Sequence, residues 1–126
     1  MKRTISTSDA PAAVGAYSQA TTNGELLLTA GQLPLTPDGE LLDDASVGDQ
    51  TEQCLENVAA ILAAEDASLD DVLKTTVFLD DIDDFEEFNE VYGEFFDEDP
   101  PARSAVEVGN VPKGAAIEIE AVAVTE

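Results

Sequence analysis

Between Thr51 and Leu62 the buried-type residues of this chain recur at three- and four-residue steps: Thr51, Cys54, Leu55, Val58, Ile61 and Leu62. In "ARSAVEV" and "AAIEIEAVAV" the residues alternate every second position instead. The first period belongs to a helix with one covered face, the second to strands. Ser46 is placed to cap this helix, which runs to about Glu65. A second helix opens at Asp83 or Asp84 and carries Phe85, Phe88, Tyr92, Phe95 and Phe96 on its apolar side. It ends before Pro100-Pro101, because proline lacks a donor and pushes its predecessor towards extended geometry. Two helices must therefore cover every strand the chain forms.

The strands follow from alternation and turn chemistry. "TIS" near the start reads as a short edge strand, and "YSQATTNGELLLTAGQLP" as two strands joined at Asn23-Gly24, a strong hairpin signal. The second of these, "ELLLTAGQ", is the more continuously apolar, as expected of a strand covered on both faces. A loop with a turn at Pro37-Asp38-Gly39 leads to the first helix. "LKTTVFLDD" lies between the helices, and "ARSAVEV" and "AAIEIEAVAV" close the chain around the turn "GNVPKG". The order ββαβαββ predicts one α+β domain over residues 1–126, with a mixed sheet and both helices on one face. The β-α-β crossings imply parallel, right-handed connections and the hairpins antiparallel pairs. The other sheet face stays bare, and a symmetric oligomer is the economical way to cover it.

Charge narrows the function. Among 126 residues, Asp and Glu number 28 and Lys and Arg five, a formal net charge of −23. Nucleic acid and anionic membranes repel such a surface, because binding them takes several cations. The acid is dispersed along the chain, densest in "LDDIDDFEE" and "EFFDEDP", the pattern of a solvated surface suited to concentrated salt; a halophilic source is the expectation. Apolar residues at 44% suffice for a core. Cys54 is alone and lies in the helix stripe, a small core residue without a disulfide partner. Histidine is absent, which removes imidazole catalysis and His-ligated zinc, and no calcium-loop spacing occurs, so no metal site is expected. The N-terminus has no signal-peptide core, and the reading is cytoplasmic.

Against that acidity, an arginine in a strand needs a reason. In "ARSAVEV", alternation puts Arg103, Ala105 and Glu107 on one face. In "AAIEIEAVAV", Glu118 and Glu120 share a face with Val122 and Val124. Two carboxylates two apart on a strand lie about 7 Å from each other and repel by about 2.4 kcal/mol at an effective dielectric near 20. If the last two strands pair across their short turn, Arg103 is the natural partner. It then serves either a structural salt bridge or a substrate carboxylate beside a proton-handling Glu.

"DAPAAVGAYSQA", "LTAGQLP", "QCLENVAAILAA", "VLKTTVFLDDIDDFEEFNEVYGEFF", "PPARSAVEV" and "IEIEAVAV" resemble, in order and spacing, the RidA (YjgF) family of imine and enamine deaminases. The resemblance implies a chorismate mutase-like fold: a trimeric barrel with helices outside, sheets around the centre and active sites between subunits. It implies hydrolysis of 2-imino acids such as 2-iminobutanoate and 2-iminopropanoate, released by pyridoxal phosphate enzymes, to 2-oxo acids and ammonia, with no cofactor. By motif position, Arg103 resembles the arginine that grips the substrate carboxylate and Glu118 the acid that activates water. Tyr17, Gly31 and Asn89 resemble pocket positions, and the Ala105 carbonyl the acceptor for the imine nitrogen. The family often has Ser where Ala30 stands, so a hydroxyl contact is lost, and often Cys where Ala105 stands, so thiol-based regulation is absent. A non-catalytic carboxylate-binding or chaperone-like module on the same scaffold is the alternative. Endoribonuclease activity, attributed to some members, fits the acidity and missing histidine poorly, and chorismate mutase rests on fold analogy alone.

At about 1 M salt the Debye length is about 3 Å, which removes most of the self-repulsion of this surface. The melting temperature is therefore expected to fall as salt is withdrawn from molar concentration to dilute buffer. A flat profile in a thermal scan across that range would overturn the halophilic reading.

Overall fold

The computed structural model describes residues 1–125. Six strands form one mixed sheet: β1 (Arg3–Ile5), β2 (Ala20–Thr22), β3 (Leu26–Thr29), β4 (Val72–Leu79), β5 (Ala102–Glu107) and β6 (Ile117–Val124). Their spatial order is β1-β2-β3-β6-β4-β5. The helices are α1 (Val47–Ala63) and α2 (Phe85–Phe95).

Local chemistry sets most of these boundaries. Gly24 takes φ 97° in the β2–β3 turn, while the Asn23 side-chain oxygen accepts from the N–H of Glu25 (2.9 Å) and Leu26 (2.8 Å). Ser46 caps α1, accepting from Asp49 N–H at 3.1 Å. The whole stripe from Thr51 to Leu62 is buried. The start of α2 differs from expectation. Asp84 has helical geometry (φ −80°, ψ 0°) and makes no side-chain cap, and Asp83 lies inside a 3-10 turn over Ile82–Asp84 that runs into the helix. The first free donors therefore belong to that turn, and Asp81 caps it, accepting from Asp83 N–H at 2.9 Å.

The larger correction concerns the last two strands. They do not form a hairpin. β5 pairs in parallel with β4 at the sheet edge, with Thr75 opposite Arg103, and β6 pairs antiparallel with β3 on one side and β4 on the other. The β4-α2-β5 crossover takes the slot beside β4, so β6 must insert on β4's far side. β3 and β4 run in the same direction, as a crossover implies, but β6 separates them.

One face of the sheet packs on the helices through Leu27, Val77, Leu79, Ile117 and Ile119, each fully buried. α2 adds an aromatic ladder, Phe85–Phe88–Tyr92–Phe96, with successive ring centroids 5.6, 5.4 and 4.7 Å apart. The other face is uncovered. Leu28 is 48% exposed and Val106 45% exposed, and Leu26 and Phe78 also lie on it. β3 is thus covered on one side only within the chain, not on both as its apolar run implied.

Neutral amides tie the loops to this frame. Buried Gln19 donates to the carbonyls of Thr7 (3.0 Å) and Pro11 (2.7 Å) and accepts from Thr7 N–H (2.7 Å), pinning the N-terminal loop. Asn57 on α1 donates to the carbonyls of Leu33 (3.2 Å) and Leu35 (2.9 Å). Gln50 accepts from Ala116 N–H at 2.9 Å.

α2 is fastened to β4 by a buried hydroxyl pair, Thr75 Oγ1 and Tyr92 Oη, 2.6 Å apart. Tyr92→Phe strands the threonine hydroxyl in the core and is expected to cost about 1–3 kcal/mol. Adding Thr75→Val removes both partners and should recover most of that loss. Denaturant unfolding of both single variants and the double variant measures the cycle; equal loss in Tyr92→Phe and the double variant would contradict this account.

Candidate active site

The residues singled out by sequence fall into two groups on different parts of the chain. The first is built where α2 crosses β5. Arg103 extends from β5 on the helix-covered side, and its Nη1 donates to Oδ1 of Asn89 at 2.8 Å. Its guanidinium carbon lies 5.4, 5.3 and 4.8 Å from the ring centroids of Phe85, Phe88 and Tyr92. These distances are within cation–π range. Residues 85, 88, 89 and 92 share one helical stripe, so α2 presents the rings and the amide together. Of the five guanidinium N–H donors, only the one to Asn89 finds a protein acceptor among the described residues. Among those residues the single ion pair is Arg3 with Glu65, at 2.7 Å.

Ala105 lies two residues along the same strand. The N–H of Val108 donates to the Leu79 carbonyl at 2.9 Å. Alternation then turns the even-numbered peptide groups of β5 towards β4 and those of Arg103 and Ala105 towards the free sheet edge. The Ala105 carbonyl is thus an acceptor without a strand partner among the described residues, on the same strand as the guanidinium.

The second group centres on Gly31, which abuts Glu118 on β6. Glu118 pairs with Phe78 on the uncovered face. Gly31 is held beside it because Gln32 and Ile119 exchange backbone hydrogen bonds of 2.7 and 3.1 Å. A Cβ at position 31 would collide with Glu118 Oε2 and lie 2.8 Å from its Cδ, so only glycine leaves the carboxylate where it is. Tyr17, 54% exposed, lines a small cleft with Gly31. The Glu118 carboxyl is pushed above its ordinary pKa, first by burial and then by the charge of Glu120. Burial therefore outweighs the like-charge effect that sequence spacing alone suggested.

Arg103 does not partner Glu118 or Glu120 within the chain. Arg103 sits opposite Thr75 and Glu118 opposite Phe78, three residues apart on β4, which puts their side chains on opposite sheet faces. The expected cross-turn pair fails because β4 lies between β5 and β6. The rings under Arg103 were legible only as core. Asn89, a polar residue inside their stripe, was the signal that the stripe had a second role. The Gln19 clamp, which orders the loop preceding Tyr17, had no such signal. Among the described residues no group of three or more His, Cys, Asp or Glu side chains is arranged to hold a metal ion. No helix is long and apolar enough to cross a membrane.

Residues 7–125 match the family model described as Endoribonuclease L-PSP. A RutC family protein from Pyrococcus horikoshii is 50% identical over 126 residues, covering 100% of both chains. A 2-iminobutanoate/2-iminopropanoate deaminase from Salmonella typhimurium is 46% identical over 128 residues, covering 98% of each. The crystal structure of E. coli TdcF with bound serine superposes with a TM-score of 0.93 at 44% identity, covering 98% of this chain and 99% of that one. The mixed sheet with two helices on one face is the fold of those relatives, and the chain belongs to the endoribonuclease L-PSP (YjgF) family, some of whose members are named reactive-intermediate deaminases.

Proposed function

We propose that the protein hydrolyses reactive 2-imino acids, including 2-iminobutanoate and 2-iminopropanoate, to 2-oxo acids and ammonia, at a site shared between copies of the chain. The observation that carries this reading is the Arg103 guanidinium. In a chain with 28 carboxylates it rests on a neutral amide and three rings. A cation held away from abundant acid is free for a ligand's carboxylate, which a guanidinium grips through two parallel hydrogen bonds.

Because Arg103 and Glu118 face opposite sides of one sheet, a substrate held by Arg103 meets the Glu118, Gly31 and Tyr17 of another copy. The uncovered apolar face gives copies a reason to associate. We take the assembly to be a closed trimer, whose identical interfaces make identical sites. The substrate enters as an iminium, R–C(=NH2+)–COO−. Arg103 fixes its carboxylate and the Ala105 carbonyl accepts from the imine N–H. Water attacks the carbon while Glu118 takes its proton, and the C=N π pair moves onto nitrogen to give the carbinolamine R–C(OH)(NH2)–COO−. Glu118 returns the proton to nitrogen. The C–N bond then breaks as the hydroxyl oxygen forms the carbonyl, and the hydroxyl proton leaves with ammonia as ammonium. The iminium carbon is already electrophilic, so no covalent nucleophile is needed. A carboxyl with a raised pKa suits both proton transfers. RNA cleavage is poorly supported, since five Lys and Arg residues give little hold on a phosphate backbone.

An amino acid oxidase generates the imine in place and semicarbazide traps what survives. In molar salt the protein should lower semicarbazone formation, and Arg103→Ala or Glu118→Gln should each cut that effect by about 100-fold or more. Unchanged trapping by folded wild type would leave a non-catalytic carboxylate-binding module. Glu118 works as a base when ionised, so activity rises as pH climbs through its pKa. Glu120→Gln removes a charge that raises that pKa and should move the acid limb of the kcat/KM profile to lower pH. An unmoved limb would show that Glu120 does not tune the site.

A further inference from the structure

α2 contains a glycine that the fold does not explain. Gly93 lies inside Phe85–Phe95, outside the left-handed region. A Cβ there would meet nothing within 4 Å, so neither backbone conformation nor close packing requires its absence. Glycine in a helix interior is less stable than alanine. Gly93 is exposed and lines a hollow of about 390 Å³ between α2 and the Pro100-Pro101 turn. Tyr92 and Phe96 form one wall, their rings 4.7 Å apart, and the two prolines another. Arg103 and Asn89 also line the hollow. Ligand pockets begin at about 300 Å³, so this one has room for far more than a methyl or ethyl group.

Resting on the deaminase reading, we propose that this hollow receives the substrate side chain, that Gly93 sets its width, and that the protein favours 2-imino acids with bulky apolar or aromatic side chains. A carboxylate on Arg103 brings the α-carbon of a 2-imino acid to the edge of a space walled by rings and prolines. Apolar atoms placed there leave water without stranding a polar group. The polar side chains lining it are those of Asn89, Arg103 and Tyr92; the Tyr92 hydroxyl is held by Thr75, Asn89 is held by Arg103, and Arg103 is taken by the carboxylate.

The test compares imines formed by an amino acid oxidase from leucine, phenylalanine and alanine, with semicarbazide trapping as the readout. Wild type is expected to show a higher kcat/KM for the leucine and phenylalanine imines than for the alanine imine. Gly93→Leu fills the hollow and should lower the leucine-to-alanine kcat/KM ratio by about tenfold or more, the scale of a steric change in an apolar pocket. Gly93→Ala should lower it less, with a melting temperature equal to or above wild type in both variants. A ratio within twofold of wild type in folded Gly93→Leu overturns the proposal. So does a changed oligomeric mass by light scattering with the ratio intact, which assigns the hollow to a neighbouring copy. If wild type hydrolyses none of the imines, the deaminase reading fails by itself, and calorimetric binding of 4-methyl-2-oxopentanoate and pyruvate then tests the pocket. Selective weakening of the former by Gly93→Leu supports it, and equal or no weakening overturns it.

Discussion

A guanidinium without an acidic partner among the described residues, in a chain where acids outnumber cations 28 to five, is the constraint on which the rest of the structure turns. Solvation alone would leave such a side chain free to find a carboxylate. Three aromatic rings and one amide hold it in place instead. The aromatic stripe of α2 therefore has two roles. It buries Phe88 in the core and fastens the helix to β4 through Tyr92, and it gives Arg103 a bed that is attractive to a cation yet carries no charge. The Thr75–Tyr92 hydroxyl pair fixes the helix against the strand next to the arginine, linking core packing to the position of the guanidinium.

Strand order decides what one chain can accomplish. With β4 between β5 and β6, the arginine strand lies at the sheet edge and the glutamate strand lies inside it, their key side chains on opposite faces. The same order leaves the Ala105 peptide group without a strand partner among the described residues and exposes Leu28 and Val106 on the uncovered face. Incomplete burial and the separation of Arg103 from Glu118 thus have one topological origin, and the proposed association of copies would address both.

The parts legible in sequence were those set by local period. The stripe from Thr51 to Leu62, the Asn23-Gly24 turn and the alternation in β5 and β6 all stand as read, because each depends on residues a few positions apart. The pairing of β5 with β6 was misread. The short segment between them looks like a hairpin turn, and nothing local reveals that the β4-α2-β5 crossover has claimed the adjacent slot. Asp81 displaced Asp83 and Asp84 as a cap because a 3-10 turn extends the helical run upstream, a shift too small for composition to register. Family resemblance marked Gly31 only as a pocket position, and its approach to Glu118 was not legible; the physical reason, a backbone exchange between Gln32 and Ile119, joins segments far apart in the chain.

The joints that hold this molecule together are mostly uncharged. Gln19, Gln50 and Asn57 anchor loops, Asn89 steadies the arginine, and a hydroxyl pair locks a helix, whereas the described residues contain one ion pair, at the exposed side chain of Arg3. Dissolved ions screen charges between exposed groups but scarcely touch a short contact between buried dipoles. Salt would therefore screen the acidic exterior while the buried Gln19 contacts and the Thr75–Tyr92 pair keep the same strength, leaving the geometry of the interior independent of the ionic milieu.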